Sequence, residues 1–135
     1  MHLLLFKNYI VIHWNIFISI FQKNLAEYYS AIDFNNMMII FASMLFERRI
    51  IVKSERLSRL SACVQAANSM IYPMTWQHIF IPVLPEHLKE YLLAPMPFLI
   101  GVASSLFKVT FSYLYSNWKR VGITYKLLQK FLLKS

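Results

Sequence analysis

Glycine is nearly missing from this chain. Gly101 and Gly122 are the only two in 135 residues, so a glycine-rich loop able to cradle phosphates cannot be built. Cysteine is scarcer still: Cys63 stands alone, which excludes an intrachain disulfide and a cysteine-based zinc cluster. It reads as a small core residue of a helix in a cytosolic chain. Acids are few, six against fourteen Lys and Arg, for a formal net charge of +8. The four histidines, at 2, 13, 78 and 87, have no metal-ligand spacing, and neither HExxH nor GxSxG is present. No catalytic set, cofactor site or metal site is therefore expected. A run of roughly 18 residues free of charged and strongly polar groups, as a membrane span requires, is also lacking.

What the chain has in excess is apolar surface. It is 58% hydrophobic and 16% aromatic, with 15% charged residues, against about 25% charged in an average protein. Such a composition fits a membrane protein or a piece of a larger soluble fold whose core surfaces lack their partners, and the absence of a long apolar run favours the second. The length bounds it to one domain.

Residues 1–22 carry one charged side chain, Lys7. From Ile10 the even positions Ile10, Ile12, Trp14, Ile16, Ile18 and Ile20 are apolar, while His13, Asn15 and Ser19 fall on odd ones, the period-2 pattern of a strand with one wetter face. A signal peptide would need a basic start and a small-x-small cleavage site, and a membrane anchor would hold His13 and Asn15 mid-span at a cost.

Asp33 or Asn35 can cap an apolar helix, Met37–Phe46, which is apolar nearly all round and is expected to be buried. Glu47-Arg48-Arg49 marks its exit, with the arginines near the negative end of the helix dipole. Arg49–Lys53 is a short β-branched strand, and Ser54 is a plausible cap for the next helix. There Leu57, Leu60, Val64, Ala67 and Ile71 form one apolar stripe, backed by Arg56, Arg59 and Asn68, and Pro73 ends it. His78–Pro82 is a second strand. Pro85 suits the first turn of a short helix, Glu86–Leu93, and Phe98–Val102 is a third strand, ended by Gly101. Strand–helix–strand–helix–strand with short links predicts a three-layer α/β fold, a mostly parallel sheet with flanking helices. After Lys108 the pattern dissolves. Val109–Trp118 is aromatic and β-prone, and Tyr125–Leu133 is a short basic amphipathic segment. The tail's Lys119, Arg120, Lys126, Lys130 and Lys134, with no acid among them, either attract phosphates or an anionic membrane surface or belong to a solvated, poorly ordered end.

Several groups have two readings. Glu47-Arg48-Arg49 is either a phosphate or partner clamp or a helix-to-strand junction stapled by ion pairs. Tyr72 and Trp76 either present aromatics to a partner or plug the sheet under their loop. Asn35, Asn36 and Met37 either start the helix or face a ligand, and His78 reads as a satisfied strand histidine.

The segments FASMLFERRIIV, LSRLSACVQAANSMIYPMTWQHIFIPVLP and LLAPMPFLIGV, in that order and spacing, resemble the central segment of a DENN domain, in particular that of the connecdenn subfamily. The resemblance covers Asn24 to Leu106. It divides the chain into an apolar leader foreign to the family (1–23), the central DENN segment (24–108) and a basic aromatic tail foreign to the family (109–135). It suggests a truncated or alternatively spliced product, or a gene model that reads into introns. What it implies is guanine-nucleotide exchange on a Rab-family small GTPase in endocytic and recycling traffic, at the cytoplasmic face of vesicles or endosomes. The Rab switch regions are held between two lobes, so GDP leaves without a covalent step. The positions the resemblance assigns to the Rab switches are Asp33, Asn35, Asn36 and Met37, with Tyr72 and Trp76 as a second contact. Without the second lobe, a chain that binds a Rab but does not accelerate exchange is the alternative, and a small membrane-attached protein is another. No nucleic-acid partner is expected.

Overall fold

A computed structural model describes residues 18–108, residue 110 and the backbone of 128–132. Its centre is a pair of parallel strands, β1 (Arg49–Ser54) and β3 (Phe98–Ala103), in register from Arg49↔Phe98 to Ser54↔Ala103. The short β2 (Ile79–Ile81) flanks β3, and β4 (Leu128–Leu132) pairs with the other side of β1, giving the order β2-β3-β1-β4 with every pairing parallel.

Successive side chains of β1 and β3 point to opposite faces. Ile50, Val52 and Leu99 enter a core with Tyr28, Ile40, Met44, Leu60 and Val64 from three helices. Ile51, Phe98, Ile100 and Val102 enter a second core with Leu84, Leu92 and Phe107. The helices on the first face are α1 (residues 18–31), α2 (Phe34–Leu45) and α3 (Leu57–Met70). The second face is covered by a 3-10 helix, Glu86–Leu93, and by a helical segment at 104–108. Strands covered on both faces have no reason to alternate apolar with polar, which is why β1 and β3 read as unbroken apolar runs. The three-layer α/β expectation holds.

Several local expectations change. Residues 18–20, the end of the period-2 run, are helical, not strand. Leu25, Tyr28, Ala31 and Ile32 recur at helical spacing and pack into the first core, and this period overrides the period-2 pattern of the preceding residues. Glu27 Oε2 accepts from Arg59 Nε at 3.2 Å and Asn24 donates to Gln65 at 3.0 Å, tying α1 to α3. The rest of the expected strand, residues 10–17, lies outside the described residues, as does nearly all of 109–127.

Ser54 does not cap α3. It ends β1, its Oγ accepts from the Arg56 N–H at 3.2 Å, and Arg56 occupies the cap position without a side-chain cap. His78 precedes β2 instead of opening it. Gly101 lies inside β3 rather than ending it, because a close crossing there needs a residue without a side chain. The Leu84 N–H donates to the Gly101 carbonyl at 2.8 Å. A Cβ on Gly101 would collide with the Pro82 carbonyl oxygen and stand 3.0 Å from Leu60 Cγ. Leu128–Leu132, read as part of an amphipathic segment, is a strand because the open edge of β1 offers it a complete ladder.

Candidate partner-binding surface

Asp33 starts α2 as the sequence suggests. Its carboxylate accepts from the Asn36 N–H at 3.3 Å and from the Asn36 side-chain amide at 2.6 Å, which satisfies an otherwise orphan first-turn donor. Asn36 is thereby half-buried and engaged, and Met37 packs against the first core. Asn35 is exposed.

The larger finding is what surrounds Asn35. α2 buries Ile40, Ser43 and Met44, but only along one side. Phe34 is 72% exposed and Met38 51%, and Ile39, Leu45 and, just past the helix, Phe46 are open as well. At 100° per residue these five side chains and Asn35 share one arc opposite the buried one. The expectation of a fully buried helix is therefore corrected: α2 is apolar all round yet covered on one side. The signal was in the sequence, since a helix with no polar face needs a second cover.

α2 ends in a Schellman motif. The Arg48 N–H reaches the Ser43 carbonyl at 2.9 Å and the Glu47 N–H reaches that of Met44 at 3.0 Å. Glu47 holds the left-handed position usual for glycine, with φ 49°. Its Oε1 stands 3.2 Å from His78 Nε2, within ion-pair range, but the pair lacks hydrogen-bond alignment, so Nε2 has no hydrogen-bond partner. The junction is thus not stapled by Glu47 to an arginine, and His78 is not a fully satisfied strand residue.

The loop after α3 divides its aromatics. Tyr72 is 84% exposed. Trp76 packs against the first core, donates Nε1–H to the Ile79 carbonyl at 3.1 Å and meets His78 edge-on at 5.2 Å. Trp76 plugs the sheet under its loop, whereas Tyr72 stays open to solvent. A recess of about 500 Å³ between them is walled by Phe21, Asn68, Ser69, Met74 and Thr75. This loop lines a common recess with Met44, Leu45 and Glu47, at the C-terminal end of α2. The Asp33–Met37 group lies toward the other end of α2, from about 18 Å along the axis at Asp33 to about 10 Å at Met37. The structure does not bring the two groups together.

Among the described residues no group of three or more His, Cys, Asp or Glu is placed to hold a metal ion, and no helix is long and apolar enough to cross a membrane. Burial, with the Glu27 charge adding and Arg59 opposing, pushes the Cys63 thiol up to about 12. Such a thiol is inert as a nucleophile at neutral pH. Burial also raises the Tyr28 hydroxyl, with Cys63 and Tyr29 adding to it. The cationic tail residues Lys119, Arg120, Lys126 and Lys134 lie outside the described residues, and Lys130 falls in β4.

Residues 16–117 match the family model of the DENN (AEX-3) domain. The chain is 58% identical over 85 residues to DENN domain-containing protein 1B of Mus musculus, a span covering 63% of this chain and 11% of that protein. To DENN domain-containing protein 1A of Homo sapiens it is 54% identical over 85 residues, or 63% of this chain and 8% of the relative. DENN domain-containing protein 1C of Mus musculus gives 48% over 85 residues, 63% and 11%. The chain thus spans about a tenth of the length of these relatives. A match that spans all of α1 and continues beyond β3 takes in the buried centre of the sheet, and this chain belongs to the DENN domain family.

Proposed function

We propose that this chain is the central part of a module that holds the switch regions of a Rab-family GTPase and promotes GDP release in endocytic and recycling traffic. The outer face of α2 carries this reading, together with membership of the DENN family. A row of large apolar side chains flanking Asn35 is a surface that gains by being covered. In this reading Asp33, Asn35, Asn36 and Met37 have separate roles. Asn35 touches the partner beside Phe34 and Met38. Asp33 and Asn36 hold the helix start in place, and Met37 anchors it to the core. Tyr72 and Trp76, beyond the C-terminal end of α2, form a second contact in which Tyr72 does the touching. Exchange needs no covalent step. A surface that binds the nucleotide-free GTPase better than the loaded one shifts the equilibrium toward release.

A second reading, binding without exchange, is favoured by the extent of the match, about a tenth of the relatives' length. Release of a fluorescent GDP analogue from a panel of Rabs separates the two. The expected result is acceleration by the full chain that is lost in Phe34→Ser/Asn35→Ala. Binding of a nucleotide-free Rab without acceleration selects the second reading, and no binding to any Rab overturns both.

A further inference from the structure

At the opposite end of α2 from Asn35, a cleft of about 340 Å³ opens where β1 and β3 begin, lined by Phe46, Glu47, Arg48, Arg49, Pro95 and Pro97. It shares Phe46 with the outer face of α2 but adds charge that the face lacks. Arg48 and Arg49 are half-buried, and among the described residues neither guanidinium has a carboxylate within ion-pair distance. The acid on this rim, Glu47, has its Oε1 at His78. Arg48 lies 5.7 Å from the centre of the Phe46 ring, which limits its freedom. The Schellman turn fixes the backbone that carries Arg48, and the β1 ladder fixes that of Arg49. Two adjacent, partly desolvated guanidinium groups beside an exposed ring and two prolines suit one kind of ligand, a carboxylate held in fork geometry next to an apolar side chain.

We infer that this cleft binds an acidic segment of a protein partner, with Arg48 and Arg49 taking Asp or Glu carboxylates and Phe46, Pro95 and Pro97 taking a neighbouring apolar side chain. Complementary charge supplies the argument: the chain carries +8 overall, and here two cations share a cleft with one acid, Glu47, whose Oε1 is at His78, while among the described residues neither arginine is ion-paired. The site does not rest on the Rab reading. A chain inert toward every Rab would leave it standing, and loss of this site would leave Asn35 and its neighbours unchanged.

The test is fluorescence anisotropy with the full chain and a short labelled peptide in which glutamates flank one phenylalanine. Arg48→Gln/Arg49→Gln is compared with a charge-matched control, Arg56→Gln/Lys108→Gln, at exposed positions elsewhere. Circular dichroism melts confirm that both variants fold. The expected result is affinity at least about tenfold weaker in the cleft variant, with the control close to wild type and binding that falls as salt rises. Equal affinity in the two variants, or no saturable binding by the wild-type chain, overturns the proposal. Competition by inorganic phosphate as effective as by the unlabelled peptide overturns the carboxylate assignment and makes the cleft a phosphate site.

Discussion

α2 and α3 lie on the same face of the same sheet, yet they finish differently. α3 buries Leu60, Cys63, Val64 and Ala67 and turns Ser58, Gln65 and the preceding Arg56 outward. Everything apolar about it, apart from its two ends, is used inside the chain. α2 buries Ile40 and Met44 and turns Phe34, Met38, Ile39 and Leu45 outward. An amphipathic helix closes a fold, whereas a helix apolar on both sides closes one layer and leaves the next to another surface. The contrast separates residues that hold this protein together from residues that are available to a partner.

The sharpest way to break the sealed side is Gly101→Ala. The added methyl meets backbone, the Pro82 carbonyl, as well as Leu60 of α3. A loss on the order of 3 kcal/mol or more is expected, read as a collapse of the melting transition. A second large effect follows from Cys63 and Tyr28, both held in the neutral form by burial in that same core. Their folded pKa values lie above the unfolded ones. Between roughly pH 8.5 and 12 the unfolded chain therefore gives up protons that the folded chain retains. Stability is full below that window and declines as pH rises through it. Denaturant midpoints measured from pH 7 to 10.5 should fall, and fall less steeply in Cys63→Ala.

The start of α2 offers a medium-sized effect. Asp33→Ala removes the cap and frees Asn36, which should lower stability by about 1 kcal/mol. The end of α2 should move the other way. Glu47→Gly relieves a left-handed residue at a cost of only an exposed contact to His78, worth well under the ~1 kcal/mol of the backbone term. A gain of about 0.5 kcal/mol in urea denaturation is expected.

The sheet was readable because its signal is local. Ile50-Ile51-Val52 and Phe98-Leu99-Ile100 are β-branched or apolar runs fenced by charge or proline, and the α3 stripe has one period. Asp33 was readable as a cap for the same reason. The helical character of residues 18–20 was hidden by a competing period-2 pattern that extends into α1 from Ile10, and the choice is made by contacts with α3 that sequence order does not display. β4 was hidden because a strand of mixed polarity, Leu128-Gln129-Lys130-Phe131-Leu132, is specified by its neighbour's free edge more than by its own residues. Of the candidate site, the Asp33 cap at the α2 start was legible. The division of labour within it was not. That Asn36 and Met37 face inward while Phe34 and Met38 face outward depends on the rotation of α2 against β1, which tertiary packing sets.

A small effect on stability is the most telling for the comparison. Phe34→Ser/Met38→Ser on the open side of α2 should shift the melting free energy by no more than about 1 kcal/mol, since both side chains are more than half exposed. Titrating this variant and the wild-type chain against nucleotide-free Rabs by calorimetry, beside their melting curves, tests whether the outer face of α2 is built for a partner. A partner-binding face gives a nearly unchanged melt and at least about a tenfold loss of affinity. Unchanged affinity, or a melt lowered as far as a core substitution would lower it, would contradict the account.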